Sequence, residues 1–372
     1  VISTMAVVGT GLIGTSLALA ARRAGVTVYL KDTSDLAVRT AAALGAGLPH
    51  PPEHEVDLAV LAVPPSQVGR VCAEEQARGL ARCYTDVASV KHEPERRVLA
   101  LAPEPERFVG GHPLAGRERS GPLAARADLF RGRPWVLTPH TRTSDAAYDA
   151  GLDLIALCEG APVAMNSAAH DDAVALISHV PHLVASLMAA RLATAPQEAS
   201  LLAGQGFRDV TRIAAGDTGL WSDILGGNAG AIAAVLRPLR DDLTRLLAAM
   251  DGLAGRGPAG PAGTPADPRP LRELLDRGVT GLSRLPGAPA RRQLFGSVLR
   301  VPLDGGPGEL ARLLAVTSPL GAGADDAAVS AGPDGRLVVT LTVPPGLAGT
   351  LREALAAEGW FAGQPAAASA AT

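Results

Sequence analysis

Apolar residues fall in short continuous runs over the first 140 positions and in helical spacing over the next hundred. Met5-Ala-Val-Val-Gly9 predicts a strand and Leu12 to about Arg23 a helix, with Gly25 placed to end it. A second strand follows over Val26-Thr-Val-Tyr-Leu-Lys-Asp32. The nearly unbroken run Val56-Asp-Leu-Ala-Val-Leu-Ala-Val63, closed by Pro64-Pro65, has the character of a strand buried on both faces. Shorter strands are expected at Cys83–Val87, near Phe108, and at Trp135–Thr138, which completes an α/β domain over residues 1–142. Residues 143–251 carry Ala/Leu/Val periodicities without alternation and predict an all-helical domain. Gly, Pro and Ala crowd residues 252–270 and open a linker and connector over 252–293. A βαββα order over 294–363 predicts a small α+β unit, and an Ala/Ser-rich tail, 364–372, is expected to be disordered.

The first strand runs into G-T-G-L-I-G, with Gly9, Gly11 and Gly14 leading a helix that begins at Leu12 and Ile13. Strand, glycines, helix, strand and a terminal acid, Asp32, occur in the order of a Rossmann-type dinucleotide-binding domain. The first glycine would make the tight turn, the second admit the pyrophosphate, and the third let helix pack on strand. Asp32 would accept from the ribose hydroxyls and repel a 2′-phosphate, which favours NAD over NADP; Lys31, Thr33 and Ser34 beside it pull the other way. Val63 and Pro64 end their strand where a cofactor would lie. Ser89 follows another strand, where its hydroxyl either bridges cofactor and substrate or caps the next helix.

V-G-G-H-P-L-A-G-R-E-R-S-G (109–121) sets His112 between paired glycines and a proline, just before Arg117, Glu118, Arg119 and Ser120. Imidazole suits proton transfer near neutral pH, and the glycines would let a ligand approach the backbone. In the helical region, His179 and His182 share a helix face beside Pro181, which is expected to kink the helix. They read as ligands for an anionic substrate or as buried, backbone-bonded histidines; with His170 they also pose a zinc site, but the proline distorts the spacing and no metal is expected. Arg212 suits bidentate carboxylate binding, although its segment could equally be a salt-bridged helix end, and Trp221 lies nine positions on.

Charge is nearly balanced, 34 basic against 37 acidic residues, with the arginine pairs scattered, so nothing favours a nucleic-acid or anionic-membrane partner. Three isolated cysteines, Cys72, Cys83 and Cys158, argue against a disulfide framework and fit a reducing cytoplasm. No apolar run reads as a membrane span and no secretory leader is expected, since the first strand starts within a few residues.

On G-T-G-L-I-G-T-S-L-A, D-V-A-S-V-K (86–91), G-G-H-P-L-A-G-R-E-R-S-G (110–121), S-H-V-P-H (178–182) and F-R-D-V-T-R-I-A with W-S-D (207–214, 221–223), the chain resembles the prephenate/arogenate dehydrogenases of tyrosine biosynthesis over nearly all of residues 5–250. D-G-G-P-G-E-L-A-R-L-L (304–314) resembles the ligand loop and helix of an ACT domain. Ala88 stands where the family has glycine, and Ala-Pro-Ala-Arg follows Leu285-Pro-Gly287 where a Lys-His-Gly turn is usual.

The resemblance implies NAD-dependent oxidative decarboxylation of prephenate, or of arogenate, which differs by an amino for a keto group. By the same resemblance His112 takes the ring-hydroxyl proton, Ser89 contacts that hydroxyl and the nicotinamide, and Arg212 clamps the ring carboxylate. His179 and His182 lie near the substrate side chain, Glu118, Arg119 and Ser120 at the mouth, and Trp221 walls the site. A homodimer and a tyrosine effector at the ACT-like unit are further expectations. A β-hydroxyacid dehydrogenase on the same plan would call for a catalytic lysine in the helical domain, and residues 143–250 contain none. A non-catalytic sensor would leave His112, Ser89 and Arg212 without a purpose.

Overall fold

The computed structural model describes residues 1–116, 121–255, 268–285, 297–332, 334–343 and 345–360, in two compact units, Val1–Arg240 and Asp241–Thr372. In the first, strands β1 (Thr4–Val8), β2 (Thr27–Lys31), β3 (Val56–Leu61), β4 (Ala81–Asp86), β5 (Phe108–Pro113), β6 (Pro134–Thr138) and β7 (Ala161–Ala164) form one sheet in the order β2-β1-β3-β4-β5-β6-β7. The first five are mutually parallel; β6 runs antiparallel to β5 and parallel to β7. Leu48 alone bridges to the outer edge of β2.

Period-two alternation divides the core between the two faces of the sheet. Met5, Val7, Val28 and Val60 pack on one side with residues of helices α1 (Leu12–Arg23), α2 (Asp35–Ala43) and α5 (Asp145–Leu157). Ala6, Val8, Ala59, Leu61 and Tyr84 pack on the other with α3 (Val68–Ala77) and with Val98 of α4 (His92–Leu101). The strands flanking β1 leave it in opposite directions, and this switch point places a crevice at the carboxyl ends of β1 and β3.

Strand β7 was not expected. The boundary expected at residue 142 therefore falls inside the nucleotide-binding fold: α5 covers the sheet and β7 completes it before the helices begin. Only four residues long and exposed at each, A-P-V-A shows no alternation, and its pairing with β6 alone makes it a strand.

Beyond it come α6 (Ser167–Val174), a five-residue π-helical turn (Ala175–His179) and α7 (Val180–Ala190), one continuous helix out to Thr194. Pro181 sits in the first turn of α7, so the π turn rather than a break absorbs it. This helix, contrary to the composition reading, is long and apolar enough to cross a membrane by length and composition alone: its best window has a mean hydropathy of 1.7 and is 33% buried. Its buried positions include His170, Asp171, His179 and His182, while Leu176, Ile177, Leu187 and Met188 face outward. Helices α8 (Gln197–Leu201), α9 (Gln205–Thr211), α10 (Thr218–Gly227) and the start of α11 (Ala229–Leu253) follow.

In the second unit, the expected connector contains a 14-residue helix, α12 (Arg269–Leu282), whose Arg277 donates to Asp242 at 2.7 Å. The βαββα order holds: β8 (Ser297–Pro302), α13 (Glu309–Thr317), β9 (Ala327–Ala331), β10 (Leu337–Val343) and α14 (Pro345–Ala357), with the antiparallel sheet ordered β8-β10-β9. Leu299, Val301, Leu313, Leu341, Leu351 and Trp360 fill its separate core. The carboxylate of Glu309 accepts from the N–H groups of Gly305 (3.0 Å) and Gly306 (3.3 Å). Two amides of the loop that resembles an ACT ligand loop are thus taken by the chain's own side chain. The expected tail and the Pro286–Arg291 turn lie outside the described residues.

Candidate active site

The glycine turn is built as its spacing requires. Gly9 has φ +106°, and a Cβ there would stand 2.2 Å from the Ala62 carbonyl oxygen; one on Gly14 would stand 1.9 Å from the Gly9 carbonyl oxygen. A Cβ on Gly11 would meet nothing within 4 Å. Gly9 and Gly14 thus serve the packing of strand, turn and helix, and the open side of Gly11 faces the N-terminus of α1, where Leu12 and Ile13 begin the helix. That is the cradle a pyrophosphate needs. Gly9, Asp32, Thr33, Val63 and Pro64 line an adjoining cavity of about 550 Å³, enough for an adenosine moiety. The residues present fit a dinucleotide.

Asp32 does more than await a ribose. Its carboxylate accepts from the Thr10 amide (2.6 Å) and hydroxyl (3.0 Å) and from the Ser34 amide (2.9 Å). Although burial opposes its charge, these bonds hold it below the usual carboxylate range. Lys31, the residue that argued for a 2′-phosphate, is committed elsewhere: its Nζ donates to both oxygens of buried Glu75 at 2.7 and 2.9 Å, and Arg78 donates to the same carboxylate at 2.8 Å.

His112 lies on β5, one residue from its end. Its flanking glycines do not face a ligand. A Cβ on Gly110 would stand 2.3 Å from the Thr138 hydroxyl, and one on Gly111 2.7 Å from the Asp86 carbonyl, so both are small because neighbouring strands crowd them. The Gly111 amide donates to Asp86 (2.9 Å), and its carbonyl accepts from the fully buried Lys91 Nζ (2.7 Å), which also pairs with Asp86. This buried ion pair ties the end of β4 to β5 under the imidazole.

The His112 Nδ1 stands 2.8 Å from His170 Nε2, and His170 Nδ1 stands 2.7 Å from Asp171 Oδ1. Asp171 accepts from the Lys91 amide (2.8 Å) and the His92 amide (3.0 Å), clamping α6 to the start of α4. Burial, then the nearby His170, Lys91 and His179, hold His112 well below its ordinary pKa, so it is neutral at pH 7. Helix α4 begins at His92 with Lys91 at its N-cap, so Ser89, half-buried beyond β4, does not cap it.

A second cavity, about 390 Å³, brings together Ser178, His182, Arg212, Gly216 and Trp221. His182 stacks on the Trp221 indole, and His179 meets it edge-on, centroids 6.1 Å apart. The Asn228 amide donates to the Asp171 carbonyl (2.7 Å) and to His179 Nδ1 (3.2 Å), so His179 carries its hydrogen on Nε2. His179 Nε2 and His182 Nδ1 are buried without a hydrogen-bond partner. Buried polar atoms are normally paired, so these two ring nitrogens keep unused hydrogen-bonding capacity. His179 is pushed down to about 4, chiefly by burial.

Two family models match, one describing the prephenate dehydrogenase nucleotide-binding domain, over residues 17–163, and one its dimerization domain, over 166–252. The chain belongs to the prephenate dehydrogenase family. It is 41% identical over 363 residues to a probable prephenate dehydrogenase, NovF, of Streptomyces niveus, covering 96% of this chain and 98% of the relative. It is 34% identical to a cyclohexadienyl dehydrogenase of Zymomonas mobilis, over 67% of this chain and 89% of that one. The prephenate dehydrogenase of Aquifex aeolicus, solved with hydroxyphenyl propionate and NAD+, shares the fold with a TM-score of 0.64 at 24% identity, over 76% of this chain and 98% of that one.

In this dehydrogenase the structure gathers most of the residues picked out from sequence: Gly9, Asp32, Val63 and Pro64 on one cavity, His182, Arg212 and Trp221 on another, with His179 and His112 buried nearby. Glu118, Arg119 and Ser120 lie outside the described residues. Missed were Asp86, Lys91, Asp171 and Asn228, and His170 figured only as a zinc ligand. Its two ring nitrogens instead face His112 and Asp171, and among the described residues no group of three or more His, Cys, Asp or Glu side chains could hold a metal ion. The adjacent acid in H-D-D (170–172) was the available clue to the His–Asp pair; nothing local showed that His112 would meet it.

Proposed function

We propose that this protein catalyses the NAD-dependent oxidative decarboxylation of prephenate to 4-hydroxyphenylpyruvate, with His112 as the proton acceptor. The observation that carries this reading is a buried, neutral imidazole beside two orphaned ring nitrogens and an arginine-lined cavity. Bound NAD+ supplies the hydride acceptor. His112 takes the proton of the ring hydroxyl as hydride leaves the carbon that bears it. Once the ring carboxylate has departed as carbon dioxide, the same imidazole returns the proton to what is now a phenol oxygen. Aromatisation drives the reaction, so the chain's task is to orient a dianion: Arg212 for the ring carboxylate, His179 Nε2–H and His182 for the side chain, Ser89 for the hydroxyl. Arogenate is the alternative substrate at the same site.

The test is steady-state kinetics with prephenate and arogenate against NAD+ and NADP+. His112→Asn should lower kcat by roughly 10²–10⁴-fold with little change in KM, and Arg212→Gln should raise the KM of the keto acid strongly. Wild-type turnover in His112→Asn would overturn the assignment.

The reading extends to assembly. The outward Leu176, Ile177, Leu187 and Met188 belong to the segment matched by a dimerization-domain model, which supports a two-fold homodimer through this helix. Light scattering that returns a monomer mass at micromolar concentration would oppose it. The resemblance of the C-terminal unit to an ACT domain supports tyrosine as an effector there, with Glu309 as its competitor for the loop amides.

A further inference from the structure

We propose that Asp171 and His170 act as positioning residues that fix the tautomer of His112, leaving its Nε2 as the lone-pair nitrogen that meets the substrate. The functional consequence rests on His112 being the base; the tautomer itself does not. Asp171 accepts from two backbone amides, Lys91 at 2.8 Å and His92 at 3.0 Å, which marks it as an acceptor throughout. Its Oδ1 lies 2.7 Å from His170 Nδ1, so that nitrogen carries the hydrogen. With a single ring hydrogen, on Nδ1, His170 presents a lone pair on Nε2, 2.8 Å from His112 Nδ1. That contact is a hydrogen bond only if His112 Nδ1 is the donor. Neutral His112 has one ring hydrogen, now spoken for, and its Nε2 is left basic.

The three side chains are all buried, His170 at 1% exposure, Asp171 at 4% and His112 at 9%, so water does not compete for these bonds. The rings meet edge-on, 73° between planes, which aims a nitrogen of one along the plane of the other. The Asn228 amide, donating to the Asp171 carbonyl, holds the α6 turn in register. When His112 takes the hydroxyl proton, the charge spreads over an imidazolium whose Nδ1–H already points at His170. The proton goes no further, because it must return to the same substrate oxygen. A helix of the region beyond the sheet thereby aligns a base carried on β5.

The experiment uses the full chain labelled with ¹⁵N-histidine, with His112→Asn to assign the His112 signals, and long-range ¹H–¹⁵N correlation at pH 7.5. Wild type is expected to show His112 protonated on Nδ1. Asp171→Leu removes the acceptor of the His170 Nδ1–H, so that hydrogen moves to Nε2 and the His112 hydrogen to its own Nε2; kcat should then fall by about 10²–10⁴-fold with KM changed less than about threefold, the pattern of a wrong-tautomer base. His170→Gln keeps an acceptor oxygen for His112 Nδ1 and should retain the tautomer and at least about a tenth of kcat, whereas His170→Leu should lose both. Finding wild-type His112 protonated on Nε2, or His170→Leu as active as wild type, would overturn the proposal. A normal tautomer pattern that switches in Asp171→Leu, in a protein that does not turn over prephenate or arogenate, would uphold the proposal and sink the assigned activity instead.

Discussion

The imidazole of His182 lies flat on the indole of Trp221, ring centroids 3.5 Å apart and planes 12° apart. Gly216 makes room for this stack, since a Cβ there would stand 2.3 Å from the Trp221 Nε1. Aromatic stacking contributes about 0.5–1.5 kcal/mol, so Trp221→Ala should raise the KM of the keto acid about three- to tenfold through a loosened His182 while kcat changes little. Gly216→Ala should act in the same direction. An equal loss in kcat would place Trp221 in the chemical step instead.

The three motif glycines should separate by phenotype. Gly9→Ala and Gly14→Ala drive a Cβ into backbone carbonyl oxygens and should lower the melting temperature by several degrees, by about 1–3 kcal/mol of strain. Gly11→Ala meets no protein atom, so it should melt like wild type yet bind NAD+ at least about tenfold more weakly, where a methyl group displaces the pyrophosphate. Calorimetric Kd values beside thermal melts make the comparison.

Cofactor choice rests on Asp32 and on the pairing of Lys31 and Arg78 with Glu75. Asp32→Ala should weaken NAD+ and narrow the preference over NADP+. Glu75→Gln releases both cations beside the same ribose and should raise kcat/KM for NADP+ without improving NAD+. An NADP+ response unchanged in both variants would show that neither site senses the 2′ position.

Stability should fall with acid between pH 6.5 and 4. His179 titrates at about 4 in the folded chain against an ordinary 6.5, so between those values the unfolded chain binds a proton that the folded one refuses. The stabilisation is complete above pH 6.5 and lost as pH falls towards 4, at no more than about 1.4 kcal/mol per pH unit for each such group. His112 adds to the slope in the same sense. Denaturant midpoints at pH 7, 6 and 5 should decline in wild type and decline less in His179→Asn. The acid limb of kcat/KM should likewise sit below pH 6.5, because protonated His112 cannot accept.

Glu309 bonds to the Gly305 and Gly306 amides, which makes it a built-in competitor for any effector carboxylate at that loop. Glu309→Gln weakens this charge-assisted contact and should shift tyrosine inhibition to lower concentration. A chain ending near Gly252 should lose that inhibition. Inhibition unchanged by both alterations would place tyrosine in the active site as a product analogue.

The sequence by itself determined whatever depends on neighbours along the chain. The turn at Gly9 to Gly14, the acid at the end of β2, the parallel strands from β1 to β5 and the βαββα order are local patterns, and periodicity and glycine chemistry dictate them. His112, His182, Arg212 and Trp221 stood out because short motifs carried unusual residue types. Only the tertiary structure decided what depends on distant partners. The tetrapeptide β7 is a strand because β6 offers an unpaired edge. Gly110 and Gly111 are small because Thr138 and Asp86 press on them, and Lys31 is silent because Glu75, 44 positions away, holds it. The contact between His112 and His170 spans 58 positions and two parts of the fold. No residue's type announces such a contact; it exists only where packing excludes water and leaves two ring nitrogens no partner but each other.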